Sequence, residues 1–166
     1  VNFFSYLLKH PIKMAKEKKI IFWIEFISVI AIIISSYLLY LHYSDKESFC
    51  DISTGLSCDV VNRSIYSEFP PGSGIPVSLM GIITFTIIIV LSELIYANKT
   101  KKRTKKLFSN IIFYLMIISI IFAAYLVYAE LFLILSICIL CVVLDIFIIL
   151  ILILSYKLRR ILHEIK

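Results

Sequence analysis

No stretch of this chain is both polar enough and long enough to fold as a separate soluble domain. Only 17% of its 166 residues are charged, against 61% hydrophobic, and the mean hydropathy is +0.99. A soluble globular domain carries about 25% charged residues, so that class is excluded. Histidine is scarce. The three present, His10, His42 and His163, lie outside the apolar runs and supply no buried ligand. Internal repeats and low-complexity tracts are absent apart from the apolar runs themselves, which excludes repeat architectures. The first apolar run is too long, and too poor in small residues at its end, for a cleavable signal peptide.

What the chain does have is four apolar runs, over about 20–41, 75–97, 107–128 and 131–156. A bilayer crossing takes about 20 apolar residues. The expected fold is therefore all-α: one integral membrane domain over 1–166, a four-helix bundle with an outer loop at 42–74. Acidic residues are few, 11 against 17 basic, and the basic ones cluster. Lys9, Lys13, Lys16, Lys18 and Lys19 precede the first run. Lys99, Lys101, Lys102, Arg103, Lys105 and Lys106 separate the second from the third. Lys157, Arg159, Arg160 and Lys166 follow the fourth. Basic residues beside spans are retained in the cytoplasm, so both termini are expected there, in the cell membrane, with loop 42–74 outside. Every cluster abuts a span, which argues for anionic lipid as the partner and against nucleic acid. The first sixteen residues suit a short amphipathic piece in the interface.

The outer loop reads as structure. Ser57 suits the N-cap of a short capping helix over 58–67, with Asp59 in its first turn. Pro70, Pro71, Gly72 and Gly74 then break that helix before the second span.

Cysteine spacing carries the chemistry. Cys50 and Cys58 lie in the outer loop, and Cys138 and Cys141 form a C-x-x-C in the last span. With that span entering at Leu131, Cys138 is expected about 10 Å along the helix at 1.5 Å per residue. Residues three apart share a helix face and can cycle between dithiol and disulfide. One pair in solvent and one in lipid, on the same side of the membrane, is the layout a thiol–disulfide relay needs. Other readings stay open: small apolar cysteines in a span, a structural loop disulfide, a zinc site, or haem attachment, for which Val142 stands where a histidine is needed.

The string FCDISTGLSCDVVNRSIYSEFPPGSGIPVSLMGI, with AAYLVYAELFLILSICILC later, resembles the vitamin K epoxide reductase family across about 20–157. That resemblance implies a four-helix bundle around a quinone, with the loop helix as its cap. It implies that Cys50 and Cys58 are a shuttle pair, that Cys138 meets them, that Cys141 faces the quinone, and that Ser64 lies beside the redox centre. The electron acceptor is then a quinone of the menaquinone or ubiquinone type, and the electron source a separate thioredoxin-like protein on the outer side. Two positions depart from many animal members: Val77 replaces an asparagine and Asp145 a tyrosine. Both departures favour plain quinone reduction over epoxide chemistry.

Asp145 stands apart from the resemblance. It lies one turn beyond Cys141 inside the span, where an ionisable residue marks a functional site or a bundle hydrogen bond. Forming a quinol takes two protons as well as two electrons, so an acid there is useful. Glu25 and Glu93 read as packing residues. The expected function is a quinone-dependent, disulfide-generating oxidoreductase. The alternatives are a non-enzymatic scaffold with a structural loop disulfide and a metal- or haem-handling membrane protein.

Overall fold

The structure, a computed structural model, describes residues 2–44, 48–51, 55–97 and 102–164. Four long helices dominate: α1 (Asn2–Tyr43), α3 (Val77–Tyr96), α4 (Lys102–Tyr128) and α5 (Ile139–Glu164), with the short α2 (Cys58–Asn62) between the first two. All four long helices are long and apolar enough to cross a bilayer. α1 packs against α3 and α5, and α4 closes the ring against both.

The packing follows from spacing. In α1 the buried positions are Ile21, Ile24, Ser28, Ala31, Ser35 and Leu38, alternating three and four apart. α3 repeats the pattern with Phe85, Ile88, Ser92 and Ile95, and α5 with Ile151, Ser155, Leu158 and Leu162. A 3.5-residue period keeps one narrow seam toward the neighbours. Small residues on that seam let helices approach, as they do where lipid supplies no hydrophobic drive. Gly81 is the closest case: a Cβ there would lie 3.1 Å from Ser35 Oγ. Large apolar residues such as Phe22, Ile33, Ile118 and Ile121 point outward. In water that surface would aggregate; in a bilayer it is the solvated face.

The basic segments meet at one end of the bundle. Lys105 Nζ lies 3.4 Å from Glu17 Oε1, Lys18 sits over the Tyr96 ring, and Arg159 lies over Phe113 and Tyr114. The cysteines occupy the opposite end, by the α1–α3 loop and the start of α5.

Two expectations about element boundaries are corrected. α1 runs unbroken from Asn2, so no separate interfacial piece precedes the first span. The third helix does not stop at Tyr128 but continues as a π-helical turn, Ala129–Ile134. Leu135 then turns left-handed at φ 57°, and the last helix begins at Ile139 rather than Leu131. Both sides of that break are apolar, so hydropathy carries no mark of it.

Candidate active site

The cap is built from its own sequence. Ser57 is extended, and its hydroxyl accepts the Val60 N–H at 3.2 Å to start α2. The expected helix over 58–67 is split: α2 ends at Asn62, and Ile65–Ser67 follow as a 3₁₀ turn after the extended Ser64. Asn62 fastens the cap to α1, its Nδ2 donating to the Leu38 carbonyl at 2.7 Å. The Asn62 carbonyl accepts from the Ser67 hydroxyl at 2.7 Å and lies 2.7 Å from His42 Nδ1. A hairpin-like turn leads into α3: Phe69 N–H donates to the Ile75 carbonyl at 3.0 Å, and Gly74 N–H to Glu68 at 2.8 Å. Gly72 and Gly74 both adopt positive φ there, which glycine does at no steric cost.

Docking of the cap decides where the loop cysteines sit. Cys50 and Cys58 form a disulfide with Cα atoms 5.8 Å apart. It does not face solvent as expected: Cys50 is 3% exposed and Cys58 fully buried. Together with Leu38, Val61 and Cys138 they form one buried cluster, with Cys141 packed at its edge. A loop pair read from sequence as aqueous is thus shielded by the helix that carries it.

The second pair sits at a helix start. Residues 135–138 are held on both sides: Ser136 N–H donates to the Glu130 carbonyl at 3.2 Å, and Ile137 N–H to the Gly55 carbonyl of the loop at 3.1 Å. Cys138 N–H donates to Glu130 Oε2 at 3.3 Å. The Cys138 carbonyl accepts from Val142 at 3.1 Å, and its Sγ accepts the Cys141 N–H at 3.2 Å. Cys138 therefore caps α5, rather than lying about two turns inside a helix. Its sulfur faces the positive end of the helix, which stabilises negative charge as it develops on sulfur during exchange. The Cys138 and Cys141 sulfurs are 2.6 Å apart.

Beyond Cys141 lies a cavity of about 420 Å³ bounded by all four long helices and the cap. Its walls are mostly apolar, among them Phe85, Leu115, Phe122 and Leu144. Cys141, Ser64 and Asp145 line it; Cys138 does not. The Ser64 hydroxyl already donates to the Val61 carbonyl at 2.8 Å. Ser35 and Ser78 also line the cavity, and among the described residues their buried hydroxyls have no hydrogen-bond partner. Buried polar atoms are nearly always paired, so these two hydroxyls remain available to a group bound in the cavity.

Sequence reasoning missed three residues here. Ser35 and Ser78 carry no signal, being ordinary small residues of membrane helices. Glu130, 6% exposed and on the cavity wall, had one: it and Asp145 are the only charged residues between 107 and 156. With spans over 107–128 and 131–156, Glu130 reads as a loop residue.

A four-helix membrane bundle that gathers two cysteine pairs at one end, beside an apolar cavity, defines an integral membrane protein built around paired thiols. The chain belongs to the vitamin K epoxide reductase family, whose model matches residues 22–156 and so includes all four cysteines; members of that family are oxidoreductases. A search of curated proteins finds no match.

Proposed function

We propose that this protein generates disulfides: it oxidises a thioredoxin-like partner on the outer side of the membrane and passes the electron pair to a quinone. The observation that carries the reading is the order of the sulfurs. The loop disulfide and Cys138 share one buried cluster, and Cys141 alone of the four lines the cavity.

Each step balances. A partner dithiol reduces Cys50–Cys58 and leaves as a disulfide. The loop dithiol then attacks a Cys138–Cys141 disulfide at Cys138; Cys141 departs as the thiolate and the second loop sulfur closes the loop bridge again. A quinone in the cavity takes up two electrons and two protons, and the Cys138–Cys141 disulfide reforms. The cavity fits such a group. Its volume lies within the usual range for small-molecule sites, its walls suit an apolar ring, and Ser35 and Ser78 offer O–H donors for carbonyl oxygens. Asp145, from α5, also lines the cavity and supplies a proton in this reading. Because the loop disulfide is buried, the partner gains access only when the cap undocks from α1. The basic end of the bundle, with both termini, is cytoplasmic in this reading.

Activity of purified cysteine variants tests the proposal. Cys138→Ser and Cys141→Ser are expected to abolish quinone reduction. Cys50→Ser and Cys58→Ser should abolish oxidation of a protein dithiol while sparing reduction by a small dithiol that reaches the inner pair. Full activity of all four variants with a protein substrate would end the relay reading.

A further inference from the structure

Converting the Cys138–Cys141 dithiol to a disulfide releases two protons, and making a quinol consumes two. Asp145 accounts for one carrier. Resting on the quinone reading above, we infer that Glu130 is the second: a proton-accepting carboxyl for the Cys141 thiol, working as a pair with Asp145.

Four observations place it there. Glu130 is 6% exposed although it carries a carboxyl at the end of an apolar helix, a position rarely filled without function. It lines the same cavity as Cys141 and Asp145. Its carboxyl accepts the Cys138 N–H at 3.3 Å, and the Cys138 sulfur in turn lies 2.6 Å from that of Cys141. Finally, the chain departs from regular helix to bring it in: the π-helical turn 129–134 and the left-handed Leu135 return the backbone so that Glu130 faces the start of α5. π-Turns of this kind recur at functional sites.

The chemistry follows. As the sulfurs join, the Cys141 S–H bond breaks and its proton passes to the Glu130 carboxylate, then to one quinone oxygen. Asp145 delivers the other proton, and the one leaving Cys138 is taken up by Glu130, which accepts the Cys138 N–H, and so restores the carboxyl pair. Two S–H bonds break, two O–H bonds and one S–S bond form, and the electron pair moves from the sulfurs to the quinone. The other titratable group on the cavity wall is Tyr66, from the 3₁₀ turn; the lining residues of α1, α3 and α4 include none.

A purely structural role for Glu130 would be to accept the Cys138 N–H, which glutamine can do equally well. Glu130→Gln therefore separates the two roles. With purified protein, a small dithiol and a water-soluble short-chain quinone, we expect the Gln variant to lose at least tenfold in turnover and to show an enlarged solvent deuterium isotope effect. Reduction of its Cys138–Cys141 disulfide by the dithiol, followed by thiol alkylation without quinone, should keep the wild-type rate. Glu130→Asp, which keeps a shorter carboxyl, should recover part of the turnover. Wild-type turnover and isotope effect in Glu130→Gln would overturn the inference. A defect confined to the alkylation readout would also overturn it, assigning Glu130 to holding the helix start. A wild-type protein that reduces no quinone would overturn the underlying reading and this inference together.

Discussion

Access to the loop disulfide depends on how firmly the cap is docked, and the Asn62 side chain is a buried fastening there beside those of His42 and Arg63. Asn62 is buried and donates to the Leu38 carbonyl at 2.7 Å, while Ile137 N–H, across the cluster, is held by the loop through Gly55 at 3.1 Å. Asn62→Ala deletes the first bond and leaves the second as a reporter of docking. Removing one partner of a buried hydrogen bond costs about 1–3 kcal/mol. Leu38 is an interior residue of α1, and its carbonyl keeps its helical acceptor role. The lower part of that range therefore applies: about 1–2 kcal/mol, or roughly 5- to 30-fold in the opening equilibrium. Amide exchange with mass-spectrometric readout on protein in detergent measures this directly, since local opening sets exchange where protection comes from one tertiary contact. The Ile137 amide, isolated by overlapping peptides, should exchange faster by that factor, while its neighbours bonded to Glu130 and the cores of α3 and α5 stay at wild-type rates. If exchange at Ile137 is unchanged, Asn62 does not hold the cap, and the proposed route of partner access is wrong. Uniform acceleration across the bundle would mean that the variant unfolds globally instead of opening locally.

Two further expectations concern the cavity and the membrane. Asp145→Asn keeps the shape of the side chain but cannot deliver a proton, so quinone turnover should fall about 5- to 150-fold, the equivalent of 1–3 kcal/mol, with little change in KM; Asp145→Leu should raise KM as well, and wild-type kinetics in both variants would reduce Asp145 to packing. Single cysteines placed in a cysteine-free background at Ser73 and at Thr104 should be labelled by an impermeant maleimide from opposite sides of the membrane, Ser73 from outside; labelling of Ser73 from the cytoplasm would reverse the orientation and put the loop pair in a reducing compartment.

Composition alone determined that this is a membrane protein, because four runs of about 20 apolar residues have no other stable use in a chain this short. The pairing of a loop C-x7-C with a C-x-x-C late in the chain singled out the four candidate redox residues, and the basic clusters marked the end of the bundle opposite to them. Tertiary structure decided the rest. A hydropathy window averages over a turn or more, so it cannot see that α4 continues past Tyr128 and breaks at the single residue Leu135. That break moves Cys138 from a helix interior to a helix cap and Glu130 from a loop to a cavity wall. Burial of the loop disulfide is likewise a relation between elements: Asn62 and Leu38 are 24 residues apart, and nothing local in either predicts their bond. The unpaired hydroxyls of Ser35 and Ser78 are visible only once α1 and α3 are packed, with Gly81 allowing their approach. Sequence periodicity specifies which face of a helix is apolar, whereas a site depends on what stands opposite that face.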